Sequence, residues 1–137
     1  MGKADNRVYV LNVWRGRVEF PDLVRAIQTQ AQVWEPDVIV IEDTGSGKSS
    51  LQHLKGLTSL PLVPVQARHW GDKVTRARHA TPACEAGLIW LPTRATWLAD
   101  FEQELYRFPS SAHDDQVDAF VYAVLRATKR SRRRKVH

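Results

Sequence analysis

The chain has 137 residues, of which 43% are hydrophobic, which is enough to bury one core but too few for two complete domains. Its 20 Lys and Arg residues outnumber its 15 Asp and Glu residues, a balance that favours a polyanionic partner such as nucleic acid. The one cysteine, Cys84, excludes an internal disulfide, and we interpret it as a small buried residue. No stretch has the length and hydropathy of a signal peptide or a membrane span, so we expect a soluble intracellular protein without a membrane partner.

The first part of the chain predicts two strands, a helix and a third strand. The apolar run at 8–14 is typical of a strand buried on both faces, and 17–20 could be its hairpin partner. A helix is predicted at 21–36, where Pro residues mark both ends. The β-branched run at 38–41 gives the clearest pattern of a buried strand.

The rest of the chain continues to alternate between helices and strands. The predicted elements are a helix at 49–56, an edge strand at 62–65, a helix at 73–86, a short strand at 88–91, and helices at 96–108 and 114–128. Such alternation favours an α/β fold in which helices flank a mixed sheet. We assign 1–128 to this domain and expect 129–137, which is rich in Lys and Arg, to be a basic disordered tail.

Two groups of acidic residues are candidates for a metal site. Glu42 follows the strand at 38–41, where a carboxylate is costly unless it is solvated, caps a helix or binds a metal. Asp114, Asp115 and Asp118 crowd the start of the last helix, and helix capping explains Asp114 but not Asp118, which lies deeper.

Hard oxygen ligands of this kind are what Mg²⁺ or Mn²⁺ requires, so two-metal phosphodiester hydrolysis is the leading chemistry. His113, next to the acids, could assist proton transfer or simply bond to a carboxylate.

Three basic regions could contact DNA. The segment 44–49 resembles a P-loop, but Glu42 stands where that motif needs glycine, so we interpret it as a tight turn that places Lys48 near a DNA phosphate or in solvent. Lys73, Arg76 and Arg78 lie where a loop joins a helix and suit sequence-independent phosphate contacts, although a solvated helix face has the same composition. The basic tail adds nonspecific affinity or only solubility.

Four segments together resemble the C-terminal nuclease domain of tailed-phage terminase large subunits. They are 9–16, 40–49, 71–77 and 113–119, and the resemblance extends from about Arg7 to Arg126. It implies a ribonuclease-H-like fold and a hydrolase that uses two Mg²⁺ or Mn²⁺ ions to cut concatemeric double-stranded DNA during packaging. By the same resemblance Glu42 is the second catalytic acid, Asp115 is the third, and Asp114 or Asp118 is a neighbouring ligand.

The resemblance also implies partners and a departure from the family pattern. The implied partners are the terminase ATPase domain, the small terminase subunit and the portal, in the cytoplasm of a bacterial host. The family's domain begins with a strand whose aspartate binds both metals, and this sequence has no room for that strand before Arg7. Asp5 lies in what looks like a turn. We therefore expect an N-terminally truncated domain that could self-associate at an exposed sheet edge.

Three functions compete at this point. The first is a nuclease that retains weak metal-dependent activity, because the first catalytic aspartate is missing. The second is a catalytically impaired prophage remnant that only binds DNA or packaging partners, which metal-independent, salt-sensitive DNA binding without cleavage would identify. The third, an unrelated ribonuclease-H-like resolvase or transposase, shares the carboxylates but leaves the segments 9–16 and 71–77 unexplained.

Overall fold

A computed structural model of the chain describes residues 1–43 and 50–129. Its elements in chain order are β1 (Gly2–Ala4), β2 (Arg7–Tyr9), α1 (Phe20–Trp34), β3 (Ile39–Glu42), α2 (Ser50–Leu57), β4 (Leu62–Val65), α3 (Lys73–Glu85), β5 (Ile89–Trp90), α4 (Leu98–Arg107) and α5 (Asp115–Thr128). The predicted α/β class is confirmed. The predictions for the glycine-rich segment 44–49 and for the tail from 130 to 137 lie outside the described residues.

The chain divides into two compact units, and the described strands form one sheet in each. One unit comprises Met1–Trp14 together with the chain from Lys73 onward, and the other comprises Arg15–Asp72.

In the described parts of the chain, no helix combines the length and apolar character needed to cross a bilayer.

The sheet of the first unit is mixed and has the order β1-β2-β5. Strand β1 runs antiparallel to β2, and β2 runs parallel to β5, with Val8 opposite Ile89. Asp5 and Asn6 join β1 to β2 with φ angles of 48° and 63°. Positive φ at both central residues matches the twist of paired strands, which explains why the chain reverses here in only two residues.

The prediction for 8–14 is wrong in its extent and in its hairpin partner. The strand ends at Tyr9, and 17–20 forms no strand, because β1 takes the antiparallel position instead. Val8 and Val10 are buried, but Leu11 and Trp14 are each 47% exposed, so the apolar run is not covered on both faces. Hydrophobicity alone therefore overestimated the length of this strand.

Helices α3 and α5 supply the core of the first unit. The predicted apolar stripe of α5 is confirmed, since Val117, Val121 and Val124 are buried at helical spacing against Ala80 of α3. Helix α3 ends at Glu85, and Gly87 closes it as predicted, with a φ of 68° at Gly87 and a hydrogen bond from the Leu88 N–H to the Ala83 carbonyl.

We expect Val124→Ala to lower the free energy of unfolding by about 2 kcal/mol, because a fully buried side chain loses two methyl groups and leaves a small cavity. Denaturant unfolding would measure the change. Val33→Ala is the matched control, since Val33 is a helical valine that is 65% exposed, and its effect should stay within about 0.5 kcal/mol. Equal effects in the two variants would contradict the assignment of Val124 to the core.

Cys84 lies in α3, as its sequence context suggested, but it is exposed, so the expectation of a buried residue was wrong. Partial desolvation and the neighbouring charge of Glu85 raise the pKa of its thiol above the usual value. A raised pKa keeps the thiol protonated at neutral pH and argues against a nucleophilic role.

The second unit contains α1, α2 and a parallel pair of strands. Strand β3 pairs with β4 so that Ile39 lies opposite Leu62 and Glu42 opposite Val65. Both strands lie where the sequence predicted them, within one residue, and Pro64 occupies an edge strand of this two-stranded sheet. The pairing places Glu42 at the carboxyl end of β3.

Candidate active site

At the start of α5, two of the predicted acids contact the same cation. Asp114 and Asp118 are four residues apart, which places them on the same side of the helix. The ammonium nitrogen of Lys73, at the start of α3, lies 2.6 Å from Asp114 Oδ1 and 3.5 Å from Asp118 Oδ2. The remaining oxygen of Asp118 lies 3.3 Å from Arg76 Nη2, one turn further along α3.

This cluster is electrically balanced and partly desolvated. Two carboxylates face two cations, and the side chains of Arg76 and Asp118 are only 7% and 18% exposed. The guanidinium of Arg76 also lies 5.7 Å from the ring centre of Tyr122 on α5. A buried guanidinium is costly without a carboxylate, so Asp118 has a structural role in joining α3 to α5 in addition to any chemical role.

The hydrogen bond to Asp114 is the largest cause of a raised pKa at Lys73, and the charges of Asp118 and Asp114 add to it against a desolvation effect that lowers the pKa. Because the pKa of Lys73 is higher in the folded protein than its ordinary value of 10.5, the charged form of Lys73 stabilises the fold. This contribution is fully present below pH 10.5 and is lost as the pH rises through the pKa that Lys73 has in the folded protein.

We therefore expect Lys73→Met to be less stable than the wild type by under about 1 kcal/mol at pH 8, because Lys73 is 49% exposed and solvent screens the pair. The difference should shrink above pH 10.5. Denaturant unfolding at pH 8 and at alkaline pH would measure it, and a difference that does not change with pH would contradict this account.

Asp115 and His113, the sequence neighbours of Asp114, are both exposed. Asp115 begins α5, and among the described residues its carboxylate has no ion-pair partner. The main-chain N–H of His113 donates to Ser111 Oγ, and its carbonyl accepts from the same hydroxyl, which fixes the backbone just before the acids. Both side chains are therefore accessible to a ligand at the start of α5.

Glu42 belongs to the other compact unit. It is exposed at the end of β3, as predicted, and the N–H of Asp43 continues the sheet by donating to the carbonyl of Val65. Asp114 and Asp118 lie together in the first unit, whereas Glu42 lies in the second unit.

Two carboxylates at the start of α5 could each contribute a ligand to one divalent cation. Asp114 and Asp118 already converge on a single positive charge, and carboxylate oxygens are the ligands that Mg²⁺ and Mn²⁺ prefer. Among the described residues, no group of three or more His, Cys, Asp or Glu side chains has the arrangement of a metal site. The case for a metal ion here therefore rests on two carboxylates, Asp114 and Asp118, which in this structure bind the ammonium group of Lys73.

The predicted DNA-binding residues have different environments. Arg78 is exposed and Lys73 is half-exposed, so both can be reached by a phosphate. Arg76 is buried against Asp118 and Tyr122 rather than exposed on the surface, and Lys48 lies outside the described residues. The role of these four residues in DNA binding stays a prediction.

Sequence reasoning missed Glu104, a buried acid that contacts the start of α5. Its carboxylate accepts hydrogen bonds from the N–H groups of Gln116 and Val117 and from the side-chain amide of Gln116. The signal was present, since position 104 lies on the apolar side of α4, three residues after Phe101 and four before Phe108. A charged residue on an apolar helix face needs a buried partner.

The family comparison agrees with the resemblance seen in the sequence. The family model described as a terminase RNaseH-like domain matches residues 1–127. In comparisons with curated proteins and with solved structures, nothing matches the chain. The match covers both compact units and every predicted site residue, so the chain belongs to the terminase RNaseH-like domain family.

Proposed function

We propose that the chain is the nuclease domain of a phage DNA-packaging terminase and cuts concatemeric double-stranded DNA with the help of Mg²⁺ or Mn²⁺. Family membership over residues 1–127 supports a terminase nuclease domain. The observation that carries the proposed chemistry is the convergence of Asp114 and Asp118 on one cation at the start of α5.

In this proposal the chain's own residues hold the metal and the DNA. Asp114 and Asp118 would hold one ion, exposed Asp115 would offer a further carboxylate, and Glu42 would be the acid that the second unit supplies. Bound divalent ions supply an activated water and stabilise the 3′ oxygen that leaves phosphorus. His113, exposed next to Asp114 in the sequence, would be available to accept a proton, and half-exposed Lys73 would be available to contact a phosphate oxygen of the DNA.

The finer aspects of the assignment belong to the same proposal. The partners are double-stranded DNA, the terminase ATPase domain, the small terminase subunit and the portal, and the site of action is the cytoplasm of a bacterial host. Arg78 and Lys48 would add phosphate contacts that do not depend on sequence. Self-association would use an outer edge of the sheet β1-β2-β5, whose outer strands pair on one side only within the described residues.

A second function has specific support from the ion pairs. Asp114 and Asp118 are already neutralised by Lys73 and Arg76, which is what a domain that only binds DNA or a packaging partner would keep. Such a domain would hold the acids for stability and use its basic residues for nonspecific phosphate contact.

Supercoiled plasmid distinguishes the two functions. A nuclease should nick or linearise the plasmid with Mn²⁺ or Mg²⁺ and stop when EDTA is added. A binding module should shift the plasmid on a gel equally with and without EDTA, lose binding as salt rises, and leave the DNA intact. Binding without cleavage at any metal concentration would reject the nuclease proposal.

A further inference from the structure

Glu104 is an acid outside the cluster that faces the start of the same helix. It lies on α4 and is 7% exposed. Its Oε1 accepts from the main-chain N–H groups of Gln116 at 2.7 Å and Val117 at 3.1 Å, and its Oε2 accepts from Gln116 Nε2 at 2.6 Å. Three donors of one helical turn therefore end on a single carboxylate from a neighbouring helix.

These two main-chain N–H groups are the ones that an N-cap side chain normally binds. Helix α5 begins at Asp115, so Gln116 and Val117 occupy its second and third positions. Asp114 holds the N-cap position but makes no capping hydrogen bond, and its carboxylate contacts Lys73 instead. Glu104 thus replaces the N-cap side chain, and its negative charge complements the positive end of the helix dipole.

We propose that Glu104 is a positioning residue for the nuclease site, because it caps α5 from outside and so keeps Asp114 turned toward the cation. Without Glu104, the buried N–H groups of Gln116 and Val117 lose their hydrogen-bond acceptor. Asp114, at the N-cap position, is then the nearest carboxylate in sequence that can accept these hydrogen bonds. Asp114 would then turn away from the cation position. This inference rests on the proposed function, in which Asp114 and Asp118 hold the metal.

The test compares Glu104→Ala and Glu104→Gln with Glu102→Ala, a control on the same helix whose carboxylate has no hydrogen bond or ion pair among the described residues. The first readout is amide hydrogen exchange at Gln116 and Val117 without metal. The second is Mn²⁺ binding without DNA, together with the Mn²⁺ concentration that gives half-maximal plasmid cleavage. Each variant is measured at a temperature where near-ultraviolet circular dichroism shows it to be folded.

We expect exchange at the two amides to rise about tenfold or more in Glu104→Ala, while distant α5 amides change less. The Mn²⁺ midpoint should rise about tenfold, the usual range for losing a residue that orients metal ligands, and cleavage at saturating Mn²⁺ should fall less. Glu104→Gln keeps one carbonyl acceptor for both N–H groups, so it should lie between Glu104→Ala and the wild type. It also gives the comparison if Glu104→Ala does not fold.

Each contrary outcome points to a different error. Unchanged exchange in the Glu104 variants would overturn the capping role. Faster exchange with an unchanged Mn²⁺ midpoint and unchanged Mn²⁺ binding would overturn the positioning role. A wild-type protein that neither binds Mn²⁺ nor cuts DNA would reject the proposed function and the positioning role with it, whereas faster exchange in Glu104→Ala would still support the cap.

Discussion

Asp118→Ala is expected to lower the free energy of unfolding by about 2 to 3 kcal/mol, more than any surface acid should. The change removes the carboxylate that lies 3.3 Å from the guanidinium of Arg76, whose side chain is 7% exposed. Breaking a fully buried pair costs about 3 to 5 kcal/mol, and Asp118 retains some solvent contact, so a smaller value applies. Denaturant unfolding followed by circular dichroism measures the change.

A second variant separates the effect of the buried charge of Arg76 from the effect of lost packing. Adding Arg76→Met to Asp118→Ala removes the buried charge and keeps most of the apolar volume, so the double variant should be more stable than Asp118→Ala by about 1 to 2 kcal/mol. Asp100→Ala, at an exposed acid in the first turn of α4, is the control and should change stability by under about 0.5 kcal/mol. A double variant less stable than Asp118→Ala would show that the charge of Arg76 is not the cause.

Glu42→Ala and Asp115→Ala should have the opposite profile, with a large loss of cleavage and little change in stability. Both side chains are exposed, so neither variant leaves a buried group without a partner. If these acids bind catalytic metal, each variant should cut plasmid at least about 100-fold more slowly at a fixed Mn²⁺ concentration, since a ligand contributes several kcal/mol to the transition state. The measurement is the initial rate of nicking of supercoiled plasmid.

Matched controls exist in both compact units. Asp37→Ala changes an exposed acid of the second unit, just before β3, and Asp100→Ala changes one of the first unit. Both should cut plasmid at the wild-type rate. If Glu42→Ala cuts as fast as Asp37→Ala, the second unit contributes no catalytic acid, and if Asp115→Ala behaves like Asp100→Ala, the third catalytic acid lies elsewhere.

Local sequence patterns predicted the five α-helices that the structure describes and the strands β3 and β4, although not the pairing of those strands. The stripe of Val117, Val121 and Val124 repeats at the helical period, so the pattern itself identifies α5 and its buried face. Strands β3 and β4 were predictable because β-branched or apolar runs lie between Pro residues and turns. These elements depend mainly on residues close together in the chain.

Strand β1 was not predictable in the same way. Its sequence, Gly-Lys-Ala, contains no β-branched or aromatic residue, so nothing in it favours extended backbone. It forms a strand because the turn at Asp5 and Asn6 brings it beside β2, where backbone hydrogen bonds decide the conformation. The same pairing explains why the predicted hairpin partner at 17–20 is not used.

The site was only partly predictable, because its contacts join distant residues. Helical spacing placed Asp114 and Asp118 on one side of α5, as the structure shows. Spacing gave no indication that Lys73, 41 residues earlier, would be their cation, or that Arg76 would be buried rather than face DNA. Both results come from the packing of α3 on α5, which a local pattern does not contain.

The parallel pairing of β2 with β5 has a consequence for synthesis on the ribosome. Val8 pairs with Ile89, so about 80 further residues must be translated before β5 is available to pair with β2. At elongation rates of about 5 to 20 residues per second, this delay lasts roughly 4 to 16 seconds. During that time the N-terminal hairpin has an open strand edge, which is the kind of surface that nascent-chain chaperones and neighbouring chains bind. Crowded expression at high temperature should therefore aggregate this chain through its first ten residues.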